Sequence, residues 1–65
     1  MNKKIKQLRE AQGLSQSELA AKLGVNRSAV SRWESGEKNP ELTNLVRMAD
    51  LFDVTLDYLL GRTSA

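Results

Sequence analysis

Apolar positions along this chain recur at the three- and four-residue spacing of helices, without the alternation of strands, and glycines with one proline cut the pattern into short blocks. In the first block Ile5 and Leu8 share a helical face, Asn2 stands at an N-cap position and Gly13 stands where a left-handed C-cap belongs. This predicts a helix over about 3–12. The second block opens on Ser15-Gln16-Ser17-Glu18, the spacing of a capping box, in which the Ser15 hydroxyl accepts from the Glu18 amide and the Glu18 carboxylate accepts from the Ser15 amide. Leu14 and Leu19 flank it as a hydrophobic staple. Leu19, Ala20 and Leu23 supply the apolar face, and Gly24 ends a helix of about two turns.

Only Val25 separates Gly24 from Asn26, the cap expected for a third helix, so the turn between the two helices is tight. Val25 and Val30 repeat the staple spacing. At about 100° per residue, Arg27, Ser28, Ser31, Arg32 and Ser35 gather on one side of this helix. Ala29, Val30 and Trp33 gather on the other, with Glu34 at the border. The predicted helix therefore has a compact core face and a basic, hydroxyl-bearing outer face without an acid. Gly36 ends it and Glu37-Lys38 forms a polar loop.

Asn39-Pro40 reads as an N-cap with proline at the first helical position, which predicts a fourth helix over about 41–52. Leu42, Leu45, Val46, Met48, Ala49 and Phe52 fall in one arc of about 160° on its wheel, the strongest amphipathic pattern in the chain, and Leu51 falls outside it. Thr55 caps a last short helix, Val54 and Leu59 form a third staple, and Gly61 closes it. The pattern predicts an all-α domain of five short helices that takes in the whole of residues 1–65.

Composition narrows the chemistry. The 65 residues contain no Cys and no His, which removes disulfides, zinc sites, thiol nucleophiles and imidazole bases, so no metal or cofactor is expected and catalysis is disfavoured. Asp50, Asp53 and Asp57 are carboxylates without a partner set for acid–base work, and Asp57 fits the first turn of the last helix. No stretch approaches the roughly 18 apolar residues of a membrane span, and the basic opening segment lacks an apolar stretch of the signal-peptide kind. A cytoplasmic protein is expected. The net charge of +2 is unevenly distributed: residues 1–39 balance at +4 and residues 40–65 at −2. A basic half suited to a polyanion thus joins a mildly acidic one.

Two helices joined by so short a turn cross steeply, which requires small residues at their approach and thrusts the second helix outward. Ala20 and Gly24 meet that need, and Val30 and Trp33 seat the second helix. Arg27, Ser28, Ser31 and Arg32 are left pointing outward as candidate contacts to DNA base edges. Arginine suits bidentate contact with guanine in the major groove, and serine lets the helix approach closely.

The run Leu14-Ser15-Gln16-Ser17-Glu18-Leu19-Ala20, followed by Leu23-Gly24-Val25, Val30-Ser31-Arg32-Trp33-Glu34, Gly36 and the closing Asp57-Tyr58-Leu59-Leu60-Gly61, resembles the phage repressor and Cro-like helix-turn-helix family, also called the Xre family. The resemblance covers nearly all of the chain. It implies a compact five-helix bundle of the lambda-repressor-like DNA-binding type, a homodimer on a two-fold symmetric operator, and transcription regulation, more often repression, in the nucleoid of a bacterial or phage-infected cell. It further implies that Gln16, at a helix N-terminus, contacts phosphate, that Arg27, Ser28 and Arg32 face bases, and that Glu34 pairs with Arg9 beside the DNA backbone. Arg9, Asn26, Lys38 and Asn39 are further expected phosphate contacts, and Leu51 and Leu56 are the expected apolar dimer surface. Arg27 and Arg32 stand where some relatives carry Gln, so those relatives' adenine contacts do not transfer. A competing expectation is an antitoxin-like module that binds a partner protein. The lack of apolar anchors on the outer face of the third helix speaks against it.

Overall fold

The computed structural model describes residues 3–62 and contains five helices: α1 (Lys3–Ala11), α2 (Gln16–Leu23), α3 (Arg27–Ser35), α4 (Leu42–Phe52) and α5 (Leu56–Leu59). No strand occurs among the described residues. The expected cap at Asn2 lies outside them.

The boundaries follow local chemistry. Ser15 and Glu18 form the reciprocal capping box, with bonds of 3.0 Å from the Glu18 amide to the Ser15 hydroxyl and 2.7 Å from the Ser15 amide to the Glu18 carboxylate. Thr55 caps α5 by accepting from the Tyr58 amide at 3.0 Å. The staple residues all face the core: Leu19, Val30 and Leu59 are buried in it, and Leu14, Val25 and Val54 are half-buried against it. Asn26 occupies the N-cap of α3 in extended backbone, but its side chain makes no capping bond.

The start of α4 corrects the sequence expectation. Its N-cap is Glu41, without a side-chain cap bond, and not Asn39. Pro40 precedes the cap and is buried, and it does not begin the helix. The apolar arc also divides differently. Leu45, Met48, Ala49 and Phe52 are buried, whereas Leu42 and Val46 are 65% and 43% exposed. Residues at i, i+3, i+4 and i+7 make one narrow seam, and so small a domain has too little partner surface to cover the rest of a broad arc. Leu51, outside the arc on the wheel, is half-buried against the core, as is Leu56.

The core is one cluster built from every helix, with Ile5, Leu19, Val30, Met48 and Leu59 as its most completely buried members. Trp33 is 5% exposed and belongs to it, as the wheel predicts. Lys4 adds a clasp between α1 and α5, its ammonium lying 4.5 Å from the Tyr58 ring centre. The α2–α3 turn depends on Gly24, which takes a left-handed conformation at φ 73° while its amide donates to the carbonyls of Ala20 and Ala21.

A Cβ at Gly24 would meet nothing within 4 Å, so the cost of Gly24→Ala comes from backbone conformation alone. The expected destabilisation is about 1–2 kcal/mol, read as a lowered urea midpoint at unchanged slope.

Candidate nucleic-acid interface

The turn fixes how α3 is presented. Ala20, 3% exposed, lies in the α2 segment from which the turn departs, and its carbonyl accepts from the Val25 amide at 3.0 Å, which pins the chain as it leaves the glycine. Val30 and Trp33 then anchor α3 in the core. The opposite side carries Arg27, Ser28 and Arg32, all exposed, while Ser31 is half-buried towards the flank. Asn26 is exposed at the start of this helix. Lys38 and Asn39 are exposed in the loop that follows it, and the Lys38 amide donates to the Arg32 carbonyl at 3.2 Å, holding the loop against the end of α3. Arg32, Lys38, Asn39 and Asn44 share the rim of a groove whose inner wall includes Trp33. Asn44 was not expected from the sequence, because the groove forms only when the fold brings the end of α3, the loop after it and the first turn of α4 together.

Behind this face lies a bidentate ion pair. Arg9 donates from Nε to Glu34 Oε2 at 2.6 Å and from Nη2 to Glu34 Oε1 at 3.0 Å, and its Nη1 donates to the Leu14 carbonyl at 2.7 Å. The two side chains are 9% and 6% exposed. Each Arg9 nitrogen thus donates within the protein, which gives this residue a structural part: it ties α1 to α3 and to the loop before α2. Burial pushes the Glu34 carboxyl up, but the hydrogen bonds from Arg9 and Gln16, with the Arg9 charge, outweigh it and hold the group below the usual carboxylate range. Arg9 is raised in turn by its hydrogen bond to Glu34, against the opposing effect of burial.

Gln16 joins this pair to the exposed face. Its Nε2 donates to Glu34 Oε1 at 3.0 Å, and its Oε1 accepts from Arg27 Nη1 at 3.5 Å. The pattern of residues gives no sign of this link, since it passes from α3 to α2 and back. Arg32 also has an intramolecular partner, with Nε 3.5 Å from Glu37 Oε2. Among the described residues no group of three or more His, Cys, Asp or Glu could hold a metal ion.

Two helices joined across a left-handed glycine, with the second seated by core residues and presenting a basic outer side, make a helix-turn-helix unit. A sequence model of the helix-turn-helix family matches residues 5–59, and the chain belongs to that family, the Xre-type domains. It is 44% identical over 60 residues to the transcriptional activator BcrR of Enterococcus faecalis, covering 92% of this chain and 29% of that protein. Among solved structures, the P22 c2 repressor in complex with a synthetic operator superposes with a TM-score of 0.87 at 29% identity, covering 95% of this chain and 94% of the other. The biofilm regulator SinR in complex with DNA superposes at 0.82 with 38% identity, covering 91% and 95%. The chain spans about half the length of the curated Bacillus subtilis relatives it matches.

Removal of Glu34 leaves the Arg9 guanidinium buried without its partner, so Glu34→Ala is expected to destabilise the fold by more than about 1 kcal/mol in urea denaturation. A group whose folded pKa is depressed stabilises the fold fully above its ordinary value, here 4.5, and that contribution fades as pH falls through the lowered value. Stability of the wild type should accordingly fall with acid below that pH, and Glu34→Gln should flatten the slope in parallel titrations.

Proposed function

We propose that this domain is a sequence-specific DNA-binding module of a transcriptional regulator, more often a repressor, that lays α3 in the major groove. The observation that carries this reading is the two-sided α3, with Val30 and Trp33 buried and Arg27, Ser28 and Arg32 exposed together. Arg32 and Arg27 would take guanine O6 and N7, with Ser28 and Ser31 allowing close approach. Asn26, Lys38 and Asn39 would meet phosphates on either side of the helix, Gln16 would meet one at the start of α2, and Arg9 would support that edge. The P22 c2 and SinR structures, each a complex with DNA, support the reading by likeness.

The proposed form on DNA is a homodimer on a two-fold symmetric site, with recognition helices about 34 Å apart. Leu51 and Leu56 keep part of their surface open and are the proposed contact between copies. The proposed setting is the cytoplasm, at the nucleoid, without a cofactor.

Selection from a random DNA pool should return a motif with two-fold symmetry, and sedimentation should find two chains per selected duplex. Failure to enrich any sequence refutes the reading, and one chain per palindrome refutes the dimer. On that motif Arg32→Ala should lose roughly 1–3 kcal/mol of preference at one base position per half-site, while Lys38→Ala should weaken all sequences alike and reduce the salt slope by about 1. Glu37 competes with DNA for Arg32 through an exposed pair worth about 0–1 kcal/mol, so Glu37→Gln should tighten binding to every sequence up to about 5-fold at low salt.

A further inference from the structure

We propose that Glu34 is a positioning residue for DNA reading, which sets the direction of the Gln16 amide and through it the placement of Arg27. The proposal rests on the DNA-binding reading above.

The argument begins with what each group can exchange. An ionised carboxylate only accepts hydrogen bonds and a guanidinium only donates, whereas a glutamine amide has one accepting and one donating end. Gln16 lies between Glu34 and Arg27, with contacts of 3.0 Å and 3.5 Å. The end of Gln16 that faces Glu34 must therefore be Nε2, and because the amide is a rigid plane its oxygen must face Arg27. The opposite orientation would set oxygen against carboxylate and NH2 against guanidinium, which is repulsive at both ends. Glu34 has no freedom to follow a turning amide, because both of its oxygens are already engaged by Arg9 and its side chain is 6% exposed.

The consequence falls on Arg27. It is exposed at the first position of α3, and an arginine side chain in water carries about 2 kcal/mol of rotamer entropy. The 3.5 Å contact with Gln16 adds little while water surrounds it. Once DNA covers this face and excludes water, the same contact strengthens and biases the direction from which Arg27 approaches a base edge. Position matters here because bidentate recognition of guanine tolerates little misplacement of the guanidinium fork. Arg32 lies outside this chain of contacts, paired instead with Glu37, and provides an internal reference.

A purely structural Glu34 would affect stability and scale binding to all sequences equally. The test uses the 65-residue chain at temperatures where each variant is folded, with the buried Trp33 as the probe of packing. Competition over single-base variants of the selected site is measured for wild type, Arg27→Ala, Glu34→Gln, Gln16→Ala and the doubles with Arg27→Ala. Glu34→Gln and Gln16→Ala should each lower preference roughly 3- to 10-fold at the one position that Arg27→Ala erases, without adding to Arg27→Ala and without touching the position read by Arg32. In the DNA-free protein, the Gln16 side-chain amide signals should shift and broaden in Glu34→Gln, which can offer Gln16 either a donor or an acceptor.

Should Glu34→Gln fail to fold, Gln16→Ala leaves the Arg9–Glu34 pair in place and carries the same expectation. A wild type that selects sequence while both variants keep its full base profile overturns the proposal alone, and so does an unchanged Gln16 amide. A wild type that selects no sequence overturns the DNA reading with it.

Discussion

The Arg9–Glu34 ion pair is the interaction on which the arrangement of this small domain depends, because it joins the first helix to the third at the point where the third is presented outward. Taking two charges out of water costs several kcal/mol per ion, and only good geometry with every remaining donor satisfied offsets it. Here the geometry is close and each of the three guanidinium nitrogens has an acceptor. Two parallel N–H donors meet the two carboxylate oxygens, the third guanidinium nitrogen finds the Leu14 carbonyl, and Gln16 adds a further donor to Glu34. A displaced partner would leave a buried charge, so the pair resists sliding of α1 over α3 more sharply than apolar contacts do.

The rest of the molecule divides α3 between two demands. A chain of this size buries only about 60% of its unfolded surface, so the residues given to the core must do so efficiently. Val30 and Trp33 together seat α3, which leaves Arg27, Ser28 and Arg32 exposed on its other side. The left-handed Gly24 makes this possible, since it ends α2 and turns the chain within three residues before α3 begins. Charge on that side is moderated from within: Glu37 lies near Arg32, and the Gln16 oxygen lies near Arg27. Both arginines thus have weak partners of the kind that DNA would replace or reinforce.

Elements governed by interactions between near neighbours in sequence were legible before any fold was known. The capping box at Ser15 and Glu18, the Thr55 cap, the three staples and the glycine stops all involve residues within about six positions of one another, and each is found as expected. Where a local rule met a tertiary alternative, the tertiary one won. Asn39 and Pro40 have the local preference for starting a helix, yet Pro40 is buried ahead of the helix and the cap lies at Glu41. Leu42 and Val46 sit correctly on the wheel but outside the seam that the other helices cover, while Leu51 finds a partner that no wheel can show.

The sequence by itself determined the helices, the caps at Ser15 and Thr55, the two-sided character of α3 and hence the class of protein, because hydrophobic period and capping are properties of a segment and its immediate neighbours. Tertiary structure alone decided which apolar residues the core could cover, where α4 begins, and how Gln16 joins Glu34 to Arg27. These depend on the placement of one helix relative to another, where a single ångström separates a hydrogen bond from none, and no periodicity along one segment carries that distance.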